Sequence, residues 1–191
     1  MPRKLVYYVA VTVDGFIAHR DGSFEGFLFQ GEHITDLIRE FPETFPAHLR
    51  PLFGVPDEVR RFDTVLMGRH TYEVGLREGF TNPYRPLDQL VFSRTMETSP
   101  DPAVALHRED PADLVRRLKS GGGKDIWLCG GSKLASALIG EIDELILKIN
   151  PVLFGAGISL FDGSIGPLDL TLADRKEYPN GVVIARYLPT L

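Results

Sequence analysis

Cysteine is nearly absent from this 191-residue chain: Cys129 stands alone, so no disulfide can form within one molecule. A single thiol fits a reducing compartment, and the expected localisation is cytoplasmic. A basic surplus is also missing. The net charge of −5 leaves nothing to neutralise a phosphate backbone, which argues against nucleic acid as a partner. No apolar run approaches the roughly 20 residues that span a bilayer, so no membrane partner is expected. Arg3 and Lys4 do precede the apolar stretch Leu5 to Val13, as in a secretion signal, but Asp14-Gly15 cuts that stretch short. A buried first strand is the better reading. His19, His33, His48, His70 and His107 lack ligand spacing and Cys129 has no partner, so no metal site is expected. Two glycine signatures of nucleotide folds are missing as well. No G-x-G-x-x-G opens a helix, and G-x-x-x-x-G-K-[ST] occurs nowhere. Their absence excludes two common architectures without excluding nucleotides.

What is present describes one globular domain over residues 1–191. An apolar fraction of 43% and a charged fraction of 25% are ordinary, and the length suffices for a substantial core. Lys4 to Val13 is almost continuously apolar, as in a strand covered on both faces. Residues 14–31 mix glycine with aromatic side chains and read as a mobile or ligand-covering loop. Ile34, Leu37, Ile38 and Phe41 fall at helical spacing, and Pro42 and Pro46 should end that helix. The proline-rich stretch 41–57 reads as an irregular insertion, able to cap a substrate site or line an interface. Strands are expected over Asp63 to Met67, Gln89 to Ser93, Asp125 to Cys129 and Leu145 to Ile149. Helices are expected after Gly68, after Asp110-Pro111 and after Gly131. Leu168, Leu170 and Leu172, then Val182 to Tyr187 across Asn180-Gly181, predict a terminal hairpin. The fold class is α/β: a mixed, mostly parallel sheet flanked by helices, with a C-terminal antiparallel hairpin.

Two strand-to-helix junctions can carry chemistry. They are Met67-Gly68-Arg69-His70-Thr71-Tyr72-Glu73 and Leu128-Cys129-Gly130-Gly131-Ser132-Lys133-Leu134. In open α/β sheets, ligands sit beyond the carboxyl ends of strands, where helix N-termini offer free N–H groups. Glycine there allows the backbone to approach a phosphate.

These junctions belong to an ordered series. Thr12-Val13-Asp14-Gly15-Phe16-Ile17-Ala18, the Gly68 junction, Val91-Phe92-Ser93-Arg94 and the diglycine junction are followed by Asp143-Glu144-Leu145 and Pro151-Val152-Leu153-Phe154-Gly155-Ala156-Gly157. The series resembles the reductase domain of bifunctional riboflavin-biosynthesis deaminase-reductases and its stand-alone relatives, which share the dihydrofolate reductase-like fold. The resemblance implies an NADPH (NADP) cofactor. Ala10 and Ile17 match residues flanking the nicotinamide ring, and Gly68, Arg69 and Thr71 match the helix start at the phosphates. Ser93 and Arg94 match the loop that holds the adenosine-ribose phosphate, which would favour NADPH over NADH. Gly130, Gly131 and Ser132 match the diglycine turn, whose Gly-Gly bond is typically cis in that fold. A homodimer is common among such relatives.

The catalytic side is thinner, because the cofactor carries the chemistry and the protein need supply no nucleophile. Asp36 and Glu40 are the carboxylates of the first helix, and Asp36 lies nearly opposite the apolar face, so a solvated acid is expected there. Asp14 is the other weak catalytic candidate, with an Asp-Gly turn as its plain alternative. Asp14, Phe16 and Phe27 are substrate-pocket candidates, and Phe24 could also stack on a planar ring. The expected function is hydride transfer to a small heterocyclic or carbonyl substrate by a stand-alone reductase. Reduction of 5-amino-6-(5-phosphoribosylamino)uracil in the riboflavin pathway, or of dihydrofolate, are alternatives. A non-catalytic nucleotide-binding module is the alternative of another class.

Overall fold

A computed structural model describes residues 2–163 and 165–190. The long apolar run forms strand β1 (Leu5–Thr12), which lies inside an eight-stranded sheet. Its alternation supplies both faces: Val6 joins one core with Tyr8 packed against it, while Leu5 and Tyr7 join the other. Neither core alone would need a run so continuously apolar.

The sheet also contains β3 (Phe62–Gly68), β4 (Asp88–Phe92), β5 (Val104–His107), β6 (Asp125–Gly130) and β7 (Glu144–Asn150). The strands β9 (Leu170–Glu177) and β10 (Val183–Pro189) complete it. The order is β5-β4-β3-β6-β1-β7-β10-β9. The six strands from β5 to β7 run parallel, and β10 and β9 run antiparallel at the edge. That matches the expected sheet and its terminal hairpin. A separate antiparallel pair joins β2 (Phe16–Ala18) to β8 (Ile158–Ser159). Gly157 permits this pair: a Cβ there would lie 2.3 Å from the Ala18 carbonyl oxygen.

Helices α1 (Glu32–Glu40) and α3 (Arg69–Arg77) cover the face that carries Val6, Met67 and Trp127. Helices α4 (Pro111–Ser120) and α5 (Ser132–Ala137) cover the face of Leu5, Leu66 and Leu128. Asp110 caps α4 as expected, its side chain accepting from the Ala112 N–H.

The stretch 41–57 is less irregular than its prolines suggest. It holds a 3-10 turn (Pro42–Thr44) and the short helix α2 (Arg50–Phe53). Two buried charged residues organise it. Glu43, with no exposed surface, accepts from the backbone N–H groups of Arg60, Arg61 and Phe62. Arg50 donates to the carbonyls of Pro42 and Pro56 and pairs with Asp57 at 2.9 Å. Arg50 thus supplies donors that the segment's prolines lack, and Glu43 ties the segment to the start of β3.

Candidate active site

The carboxyl ends of β3, β4 and β6 lie side by side, with Gly68 in register with Phe92 and Met67 with Gly130. The two junctions singled out in the sequence therefore meet. The Gly131 N–H donates to Thr71 Oγ1 at 3.1 Å, tying the start of α3 to the diglycine turn. The Gly130–Gly131 bond is not cis, contrary to expectation; Arg85–Pro86 is the cis bond among the described residues. The turn is made instead by Gly130 at φ 138°, which an L side chain rarely adopts.

Gly131 lies outside that region, with φ −22°. A Cβ there would meet nothing nearer than Thr71 Oγ1 at 3.5 Å, and one at Gly130 nothing nearer than the same atom at 4.0 Å. Protein packing does not require Gly131 to be glycine, so the space over it is free for a ligand. Beside it, the Ser132 hydroxyl is buried without a hydrogen-bond partner. A buried polar atom left unpaired costs about 1–3 kcal/mol, an expense that a ligand contact would remove. These two features fit the phosphate and ribose portions of a nucleotide.

Arg69 is half-turned toward its own helix, 3.4 Å from Glu73 and 3.3 Å from His70 Nε2. One strand over, Ser93 Oγ accepts from the N–H groups of Thr95 and Met96 and so shapes the loop. Arg94 is exposed and has no hydrogen-bond or ion-pair partner among the described residues. Its guanidinium fork is free to grip an anion. Ala10 near the end of β1 and Ile17 in β2 are partly exposed.

Aromatic side chains pack together on the α1 side of the sheet. Tyr8 stacks obliquely on Phe41 at 5.2 Å, and Tyr84 meets Trp127 edge-on at 4.9 Å. Trp127 Nε1 donates to the Tyr8 carbonyl, and Cys129 lies 3.8 Å from the Tyr84 hydroxyl. Burial raises the pKa of Tyr8 and Tyr84 and pushes the Cys129 thiol up to about 12. All three are neutral at pH 7. Sequence reasoning missed Tyr84, which comes from a loop without a motif. It also missed Lys148, although a single charge within Leu145-Ile146-Leu147-Lys148-Ile149 was a readable signal.

Asp36 is corrected. It is buried, not solvated, and is held by ion pairs to Arg39 and Lys176 and by the Tyr178 hydroxyl at 2.9 Å. The hairpin folds back over α1 and covers the helix side that lies opposite the apolar stripe. The Lys176 hydrogen bond, followed by that from Tyr178, holds the Asp36 carboxyl below the usual range. Asp14 is similarly committed. It accepts from the Thr12 hydroxyl and from the Phe154 and Gly155 N–H groups, with the hydroxyl contributing most to its lowered pKa. Both acids are anchors and are poorly suited to donate a proton near neutral pH. Phe27 is buried and stacks on Phe154 at 5.3 Å, itself stacked on His19 at 3.7 Å, so it packs the loop. Phe16 is half-buried beside Gly157, and Phe24 is exposed against Phe29.

A cavity of about 200 Å³ lies by Arg3, Thr64 and Gln89, and one of about 100 Å³ by Ile142, Leu168 and Leu170. Neither touches the junctions. Among the described residues, no cluster of three His, Cys, Asp or Glu could hold a metal ion, and no helix is long and apolar enough to cross a membrane.

The fold recurs in known proteins. Residues 3–184 match the model of the RibD C-terminal domain. The chain belongs to the RibD C-terminal domain family. Within the wider set of relatives, YwjB of Bacillus subtilis (strain 168), of uncharacterised function, is 32% identical, covering 95% of this chain and 96% of YwjB. A candidate riboflavin biosynthesis protein from Shewanella sp. PV-4 superposes with a TM-score of 0.74 at 19% identity, covering all of both chains. A diaminohydroxyphosphoribosylaminopyrimidine deaminase/5-amino-6-(5-phosphoribosylamino)uracil reductase from Thermotoga maritima gives 0.66 at 15% identity, covering 99% of this chain and 57% of that one. At these identities the superpositions establish a shared RibD-type fold.

Proposed function

We propose that this RibD-family domain is an NADPH-dependent reductase that transfers a hydride to a small heterocyclic or carbonyl substrate. The observation that carries the proposal is the cradle at the ends of β3 and β6, where an uncrowded Gly131 stands beside a buried, unpartnered Ser132 hydroxyl. Family membership agrees with it. Gly68, Thr71, Gly130, Gly131 and Ser132 would hold the pyrophosphate and nicotinamide ribose, with Ala10 and Ile17 beside the ring. Ser93 and Arg94 would hold the 2′-phosphate, the group that separates NADPH from NADH. The bound dihydronicotinamide supplies the hydride. The chain's part is to orient the acceptor and exclude water, with the neutral aromatic wall of Tyr8, Tyr84 and Trp127 on the acceptor side.

Reduction of 5-amino-6-(5-phosphoribosylamino)uracil is the second reading, favoured by the name of the Thermotoga maritima protein. The test is NADPH oxidation at 340 nm against a panel holding that ribosylated uracil, dihydrofolate, a quinone, an α-dicarbonyl and a cyclic imine. Turnover of any one supports a reductase and sorts the substrate classes. Tight NADPH binding without oxidation across the panel would favour a nucleotide-binding module instead.

A further inference from the structure

Neither carboxylate near the site is free to serve an acceptor, and the group that remains is a lysine. Lys148 is directly paired with Ala10 across β1 and β7, and with Ile184 on β10, so its side chain shares the α1 face with the ring-flanking position. The residue is 5% exposed. Its ammonium donates to the Leu28 carbonyl at 2.6 Å and lies 5.0 Å from the Phe29 ring. An ammonium has three N–H donors, and among the described residues only the Leu28 bond engages one of them. The titratable group that faces it is His33 of α1, which shares the Leu28 carbonyl and is kept neutral by burial. No carboxylate is paired with Lys148 among the described residues. A buried cation without an anion is unfavourable unless something supplies the missing charge.

We infer that Lys148 binds the electron-rich oxygen or nitrogen of a planar substrate whose ring lies against Phe29, and that it neutralises the charge formed there on reduction. The inference rests on the reductase reading. When hydride adds to the carbon of a C=O or C=N bond, the π electron pair moves onto the heteroatom. A proton from Lys148 Nζ then completes the O–H or N–H bond, and the amine regains a proton from water. The same geometry selects acceptors that carry a carbonyl, an imine or a carboxylate. Desolvation lowers the Lys148 pKa to about 8, which suits transfer near neutral pH.

The test uses the whole protein with 2-naphthoate, a planar fluorescent carboxylate that the site cannot reduce, added to the NADP-loaded form. Trp127 quenching reports NADPH binding separately. In Lys148→Met, NADPH affinity should stay within about twofold while 2-naphthoate affinity falls at least tenfold. Lys148→Arg should recover part of the loss. On the wild-type protein alone, 2-naphthoate affinity should drop as pH rises past about 8, because the ammonium loses its proton while the carboxylate stays ionised. Equal binding to wild type and Lys148→Met, a flat pH profile, or no binding to NADPH-competent wild type would each overturn the role of Lys148. Failure of the wild type to bind NADPH would instead refute the nucleotide reading.

Discussion

Replacing Glu43 by alanine should loosen the 41–57 segment and cost several kcal/mol. Glu43 Oε1 accepts from the Arg61 and Phe62 N–H groups at 2.7 and 2.6 Å, and Oε2 from the Arg60 N–H at 3.2 Å. Truncation leaves three backbone donors without partners at the entry to β3. At about 1–3 kcal/mol per buried unsatisfied group, and less for those that reach water, the loss is on the order of 3–5 kcal/mol. For a domain of this size that corresponds to a fall of roughly 10 °C in Tm. Glu43→Gln keeps the oxygen that serves Arg61 and Phe62 and loses the acceptor for Arg60, so it should fall between wild type and alanine. Calorimetry on the three proteins reads this directly. A Glu43→Ala variant within about 1 kcal/mol of wild type, or a glutamine variant as damaged as alanine, would refute the assignment of Glu43 as the clamp on 41–57.

Three other outcomes follow from the same structure. Gly131→Ala should fold with a Tm within a few degrees of wild type yet lose NADPH affinity at least tenfold, since its Cβ points into ligand space; unchanged affinity would remove that space from the site. Asp36, whose carboxyl lies below its ordinary value near 3.8, stabilises the fold above that value, and the contribution is lost as pH falls through the lower folded pKa. Urea midpoints measured from pH 5 to pH 2.5 should therefore decline more steeply for wild type than for Asp36→Asn, and parallel slopes would contradict the pairing. Cys129, with its thiol pushed up to about 12, has a thiolate fraction on the order of 10⁻⁴ at pH 8; mass spectrometry should find it unmodified by iodoacetamide until urea is added.

The central strands were legible because two-faced burial forces long apolar runs, as in Leu5-Val6-Tyr7-Tyr8-Val9, and the α4 start was legible because Asp110 and Pro111 are local signals. Both glycine junctions were legible for the same reason. Asp36 was not, because its burial depends on Lys176 and Tyr178, which are 140 and 142 residues away in the chain. Helical periodicity locates the apolar face but is silent about a hairpin that returns over the polar one. Within the insertion, proline density hid the order that Glu43 and Arg50 impose for a related reason. Tyr84 reaches the aromatic wall from a loop, where no period or motif announces it. The strand β5 and the β2–β8 pair are too short to stand out from their flanking turns.

Titrating the protein with NADPH and with NADH, wild type beside Arg94→Ala, decides whether the cradle holds the nucleotide proposed for it. Trp127 lies on the strand that leads into Gly130 and reports occupancy, while thermal shift reports it through linkage. Wild type should bind NADPH at least tenfold more tightly than NADH, and Arg94→Ala should abolish that preference while leaving NADH affinity unchanged. Folded protein that binds neither nucleotide would contradict the reductase assignment.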